Sequence, residues 1–171
     1  RKVDENAINP EDNNRFNFRL GFCYIEKEKY EEARPLLEAV VATNNEYTEF
    51  AQYYYGYIAL YFKEYEKAYT AFKKIEDPKF EKVHFYMAQV LYQLSKYNEA
   101  LSELDKLNTK KVPISDVYWL QAKCYYQLED YAKASEFYLK SNPNIDKVSG
   151  VEQYEIAYSL AKSGSLSESI P

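Results

Sequence analysis

An all-α solenoid of antiparallel helix pairs is the fold class this sequence predicts, and three observations predict it. A string that reads polar-Tyr-x-x-Ala occurs four times, at Lys29–Ala33, Glu64–Ala68, Lys96–Ala100 and Asp130–Ala134, and its alanines step by 35, 32 and 34 residues. A small residue stands twelve positions before each of those alanines (Gly21, Gly56, Ala88, Ala122), and a large apolar one stands four after (Leu37, Phe72, Leu104, Tyr138). Three columns held in register over four copies mark a repeat of helix-hairpin length. Finally, 4 Gly and 6 Pro in 171 residues are too few for a sandwich or barrel that turns every ten residues, and too few for a disordered tail.

The elements follow in order. The repeats are expected at about 14–47, 49–80, 81–114 and 115–148, with a partial fifth at 150–171, all in one array. In each, the first helix carries apolar residues at spacings of three and four, as at Phe85, Val90, Leu91 and Leu94. A break of two or three residues follows, as at Ser95-Lys96, and the second helix starts near the Tyr-x-x-Ala string. The small column belongs where two helix backbones cross, because a larger side chain would hold the axes beyond the usual ~8–10 Å. That accounts for Gly21 and Gly56 inside helices, where Gly costs roughly 1 kcal/mol relative to Ala. Pro78, Pro113 and Asn142-Pro143-Asn144 stop helices between repeats, and Ser115 is expected to cap the helix that holds Trp119. Pro35 falls either in the first turn of its helix, where it is tolerated, or just beyond, where it bends it. In the fifth copy Ala157 takes the small slot and Ser169 the alanine slot.

These columns resemble those of the tetratricopeptide repeat, a helix-turn-helix unit of 34 residues. Its small eighth position is matched by Gly21, Gly56, Ala88 and Ala122, its seventeenth-position Tyr by Tyr30, Tyr65, Tyr97 and Tyr131, and its twentieth-position Ala by Ala33, Ala68, Ala100 and Ala134. Its fourth-position Trp is replaced by Asn17, Gln52, His84 and Tyr118. The resemblance implies a right-handed superhelix whose first helices line a concave groove. The groove-lining positions would then be Phe18, Tyr53, Phe85, Trp119 and Tyr154 in the fifth column, Phe22, Tyr57, Gln89, Lys123 and Tyr158 in the ninth, Ile25, Leu60, Tyr92, Tyr126 and Ala161 in the twelfth, and Tyr61 in the thirteenth. Aromatic rings bring large rigid area with few rotors to freeze, and Tyr keeps a polar tip for a wet groove. Ten of these form the expected protein- or peptide-binding set: Phe18, Phe22, Tyr53, Tyr57, Tyr61, Phe85, Tyr92, Trp119, Tyr126 and Tyr154. The fifth-column rings either line the groove or, with the fourth column polar, turn inward as core.

Other classes fall away. With 22 Lys+Arg against 27 Asp+Glu and no basic block, the chain is a poor match for phosphate backbones, so no nucleic-acid partner is expected. No apolar run nears the roughly 18 residues of a membrane span, so direct membrane insertion is not expected. His84 is the only histidine and reads as a packing residue with one hydrogen bond. Cys23 and Cys124 share the tenth column three repeats apart, too far for a disulfide, and both read as small buried hydrophobes. No phosphate loop, nucleophile elbow or paired-His motif is present, so no catalysis, metal or cofactor is expected. Arg1 and Ile170-Pro171 are the ends expected of a fragment of a longer protein, and composition fits the bacterial cell envelope or periplasm as well as the cytoplasm.

The expected function is a non-catalytic scaffold or adaptor that binds a protein or peptide segment in the aromatic groove. The alternatives are a structural spacer or self-association module, through an apolar C-terminal edge at Val151 to Leu160, and an accessory module of a larger enzyme or envelope assembly. The resemblance also implies what the groove rejects. The clamp that chaperone-binding members use on a C-terminal carboxylate needs Lys in the fifth column, which is aromatic here, and the sixth column reads Arg19, Tyr54, Tyr86, Leu120, Glu155. A peptide ending Glu-Glu-Val-Asp should therefore give no measurable heat in titration calorimetry; micromolar binding would contradict this.

Overall fold

One turn is used four times. In a computed structural model, which describes residues 9–107 and 111–164, Glu28, Lys63, Ser95 and Glu129 are left-handed, with φ of 56°, 61°, 59° and 60°. The N–H of the residue that follows each reaches back five positions: Lys29 to the Tyr24 carbonyl at 2.9 Å, Glu64 to Ala59 at 2.8 Å, Lys96 to Leu91 at 2.8 Å and Asp130 to Tyr125 at 3.0 Å. The left-handed residue itself donates three back, to Ile25, Leu60, Tyr92 and Tyr126. This pairing is a Schellman motif, which satisfies the carbonyls left open at a helix end. It starts every second helix on its column tyrosine.

The helices are α1 Pro10–Ile25, α2 Tyr30–Val41, α3 Thr48–Tyr61, α4 Tyr65–Phe72, α5 Val83–Gln93, α6 Tyr97–Asp105, α7 Ile114–Gln127, α8 Tyr131–Ser141 and α9 Gly150–Ser163, with one 3-10 turn, Ile145–Lys147. Among the described residues there is no strand, so the all-α reading stands. The chain forms two compact units, Arg1–Val83 and His84–Pro171. In the first, α1 packs on α2, α2 on α3 and α3 on α4. In the second, α6 packs on α7, α7 on α8 and α8 on α9.

The small and large repeat columns meet in the α1–α2, α3–α4 and α7–α8 pairs, with Ala122 and Tyr138 in one buried cluster. A Cβ built on Gly21 would lie 3.1 Å from Leu37 Cδ2, and one on Gly56 only 2.7 Å from the Phe72 ring. Ala33, Ala68, Ala100 and Ala134 are fully buried, and so, within 3%, are Leu37, Phe72, Leu104 and Tyr138. Each of those large side chains contributes about 1.5–3 kcal/mol by leaving water.

Four details differ from or complete the sequence reading. Ser115 is not a cap: α7 begins one residue earlier, with Pro113 at the N-cap and no side-chain cap bond. The Pro113 carbonyl already accepts from Asp116 and Val117, and the Ser115 hydroxyl turns to Asp116 at 3.4 Å. Cys23 is exposed, whereas Cys124 is buried as expected. Ala157 lies in α9 but is exposed, because no described second helix covers it, and Ser169 lies outside the described residues. Pro35 is the sixth residue of α2, past the first turn; it removes the bond to the Glu31 carbonyl, yet the helix runs on to Val41.

Three substitutions test this frame. Ser95→Gly should raise unfolding stability by about 0.5–1 kcal/mol, because Gly takes the left-handed conformation without the Cβ clash. Gly56→Ala should lower it by about 1–2 kcal/mol, since overpacking against Phe72 outweighs the gain in helix propensity. Gly21→Ala should cost less, because the Leu37 tip it meets is flexible. Urea denaturation of the three variants decides both signs.

Candidate functional site

The first helices carry the expected rings, and the second-helix tyrosines brace them. In the first unit, Phe18, Phe22 and Tyr53 converge on Tyr54, at centroid distances of 6.4, 5.3 and 5.3 Å. Tyr57 and Tyr61 converge instead on Tyr30 of α2, at 6.1 and 4.5 Å, and Phe62 lies 5.2 Å from Tyr61. Burial, then a hydrogen bond with Tyr57, holds the Tyr30 phenol above its ordinary pKa. Arg34 lies 4.8 Å over the Phe62 ring and bonds Glu64 at 2.8 Å. That guanidinium and Lys67 hold Glu64 below the usual carboxylate range.

In the second unit, Tyr126 and Tyr154 meet through Tyr158, at 6.3 and 5.6 Å, and Tyr131 closes the group at 5.8 Å from Tyr126 and 5.1 Å from Tyr158. Tyr92 pairs with Tyr97 at 5.6 Å, with Lys123 5.6 Å from its centroid. Lys123 bonds Glu152 at 3.1 Å. Burial acts against ionisation of Glu152, but Lys123 and the Ser149 cap hold it below the ordinary range. Glu155, itself buried, accepts the Tyr138 hydroxyl at 3.0 Å. Burial and then Glu155 push the Tyr92 phenol up to about 12 and raise Tyr126 as well.

The fifth column divides its area between core and surface. Phe18, Tyr53, Phe85 and Trp119 are half-buried, and only Tyr154, at 61%, is well exposed. Phe18 stacks on Tyr47 at 5.2 Å, Tyr53 on Phe80 at 5.2 Å, and Trp119 stands edge-on to the buried Tyr138 at 5.3 Å. Phe85 stands with its chain neighbour Tyr86 at 6.4 Å and joins neither ring cluster of its unit. Tyr61 is exposed at 59%, while Phe22, Tyr57, Tyr92 and Tyr126 are half-buried. Sequence reasoning took the seventeenth-column tyrosines only as markers of the repeat. Their constant spacing of five after the twelfth column, across a tight turn, was the signal that Tyr97 and Tyr131 support Tyr92 and Tyr126.

His84 Nδ1 lies 2.7 Å from Glu103, which also takes Lys106 at 2.8 Å, so the imidazole is tied to α6. The Cys124 thiol is pushed up to about 12 by burial and stays protonated at neutral pH. Among the described residues no three His, Cys, Asp or Glu side chains stand together as metal ligands, and no helix is long and apolar enough to cross a membrane. The ring clusters present apolar area and phenol hydroxyls, with the Arg34–Glu64 pair beside the first and the Lys123–Glu152 pair in the second unit.

Two family models match the chain: "Anaphase-promoting complex, cyclosome, subunit 3" over residues 26–107 and "Tetratricopeptide repeat" over residues 85–143. Among curated proteins none matches. Two solved structures are similar in fold. A MamA double mutant, "MamA RS-1 ArsTM", is 17% identical with a TM-score of 0.74 and covers 92% of this chain and 90% of its own. MamA 41-end from Desulfovibrio magneticus RS-1 is 19% identical with a TM-score of 0.68, over 92% of this chain and 97% of its own.

The raised phenols make stability depend on pH. A tyrosine whose folded pKa exceeds its unfolded value near 10 stabilises the fold fully below pH 10, and that contribution is lost as pH rises. For Tyr92 the window runs from the ordinary value to about 12. Urea midpoints should fall between pH 10 and 12, and Tyr92→Phe should flatten that slope relative to wild type. Glu155→Gln should move the late phase of the tyrosinate absorbance titration to lower pH, though not to the ordinary value, because burial is the larger cause.

Proposed function

Because the chain belongs to the tetratricopeptide repeat family, whose repeats serve in general as scaffolds that bind proteins or peptides, we propose that it is a protein-interaction scaffold and that a partner segment lies on the ring-lined face of the second unit. The observation that carries this reading is the bracing of Tyr126 and Tyr154 by Tyr158 and Tyr131, beside the Lys123–Glu152 pair. Rings already held by their neighbours lose little rotamer entropy on binding, so their area converts more fully into affinity. Hydroxyls along the row suit the backbone amides of an extended segment, and the ring faces suit its apolar side chains. The Tyr57–Tyr61–Tyr30 group extends the same reading to the first unit. Nothing in this mechanism asks for a reactive group.

Self-association is the second reading, favoured by the exposure of Val151 at 69% and of Ala157 on the same helix. Sedimentation tests it: a monomer at all concentrations contradicts it.

The first reading is tested with a displayed library of random dodecapeptides panned on the wild-type chain. Enriched peptides should lose about 1–2 kcal/mol per ring when Tyr126 and Tyr154 are replaced by Ala, and keep their affinity when Tyr118 is replaced instead. Circular dichroism should be unchanged in both variants. No enrichment, or affinity indifferent to the two rings, removes this face as the site.

A further inference from the structure

One surface lies outside both ring faces. Asp12, Arg15, Phe16, Arg19, Leu20 and Cys23 recur at spacings of three and four along α1 and line a shallow groove of about 410 Å³. Phe16 is 62% exposed, and Arg15, Arg19 and Cys23 are exposed beside it. Phe18 and Phe22 point to a different side of the helix, where they meet Tyr54.

The other first helices show what this face accommodates. In α3 the matching positions are Ala51, Tyr54, Tyr55 and Ile58. Ala51 and Ile58 are fully buried in one cluster with Ala33, Leu37 and Val40 of α2, and Tyr54 and Tyr55 pack against it. In α7 they are Val117, Leu120, Gln121 and Cys124, on a helix packed against α6, with Val117, Leu120 and Cys124 buried. In α9, packed against α8, they are Glu152, Glu155, Ile156 and Ser159, the last three buried. In each case the occupant is an α-helix. Cys23 and Cys124 hold the same register, yet one is exposed and the other buried. Among the described residues no helix lies against this side of α1.

Charge selects the occupant. Arg15 and Arg19 flank Phe16 and Leu20 and form no ion pair among the described residues, whereas Arg34 is held by Glu64. A helix seated here would strip water from both guanidiniums, and Asp12, the one carboxylate in the lining, forms no ion pair with either among the described residues, so the helix must bring carboxylates to them. A second copy's α9 does not: its exposed side presents Val151, Tyr154, Ala157, Ala161 and Lys162. We propose that the Phe16–Leu20–Cys23 face of α1 docks an amphipathic helix of a partner protein, with small or branched apolar residues along its stripe and Asp or Glu flanking it opposite Arg15 and Arg19. The site is separate from the ring faces and stands or falls apart from them.

The test uses two synthetic helical peptides of the length of α1 with the same Ala/Leu stripe, one flanked by Glu and one by Lys. Maleimide alkylation of Cys23 supplies the footprint, since Cys124 is buried and its thiol protonated. The Glu peptide should bind in calorimetry, slow Cys23 alkylation at least about tenfold, and bind about tenfold more tightly than the Lys peptide, with the difference shrinking in salt. Arg15→Glu/Arg19→Glu, at exposed sites that leave the fold intact by circular dichroism, should invert the preference. Phe16→Ala should weaken both peptides, and Tyr126→Ala/Tyr154→Ala neither. Equal affinity for the two peptides, binding without protection of Cys23, or no binding overturns the proposal. Protection of Cys23 that grows with protein concentration alone overturns it in favour of a second copy.

Discussion

The contact of a small residue beneath a large one governs the helix pairs α1–α2, α3–α4 and α7–α8. At Gly56 the ring of Phe72 occupies the volume a methyl group would need, and at Gly21 the tip of Leu37 nearly does. Ala88 and Ala122 hold the same column, fully buried, with Leu104 and Tyr138 as the large members. Such a contact exists only if the second helix returns at one depth and rotation. The Schellman turn supplies that return, and it does so with Glu, Lys, Ser and Glu in a conformation that favours Gly. The strain of roughly 1–2 kcal/mol per left-handed residue is carried because the buried columns it aligns contribute more. Local and tertiary demands therefore agree at the crossing and conflict at the turn.

From that crossing the surface follows. Once the small column faces its partner helix, positions one turn away on the first helix must point sideways or outward, and this chain fills them with rings. They are neither core nor free surface. Trp119 leans on Tyr138 and Tyr53 on Phe80, so each roots one edge in the interior and leaves the other in water. Tyr suits this position because its ring can be buried while its hydroxyl remains hydrated or bonded. The cost shows as raised phenol pKa values at Tyr92, Tyr126 and Tyr30, all driven first by burial.

What the sequence made legible was whatever repeats. The columns Gly21/Gly56/Ala88/Ala122 and Tyr30/Tyr65/Tyr97/Tyr131 locate the crossings and the starts of second helices, because periodicity reports an environment repeated four times. The candidate rings were likewise found, but not their grouping. That Phe18, Phe22 and Tyr53 share Tyr54 while Tyr57 and Tyr61 share Tyr30 depends on side-chain reach across a turn, which spacing along one helix does not encode. The α7 cap was missed because Pro113 starts the helix with its carbonyl alone, leaving Ser115 no capping role. The capping box at Ser149 and Glu152 was equally unread, although its Ser-x-x-Glu string was present.

Cys23 shows where such reading stops. A column assigns a residue its place on the helix; its environment comes from the helix on the other side. The tenth column is buried at Ile58, Val90, Cys124 and Ser159 and exposed at Cys23, although the spacing of three and four runs on unchanged. The same holds for the small slot, buried at Gly56 and exposed at Ala157. In a repeat array, where each unit is stabilised by its neighbours, positions alike in register can thus be opposite in energy. A helix face that keeps its spacing of three and four but carries Arg19 where α3 and α7 carry Tyr54 and Leu120 has changed its surface chemistry without changing fold. Chemical individuality in this chain therefore sits where the period persists and the occupant does not.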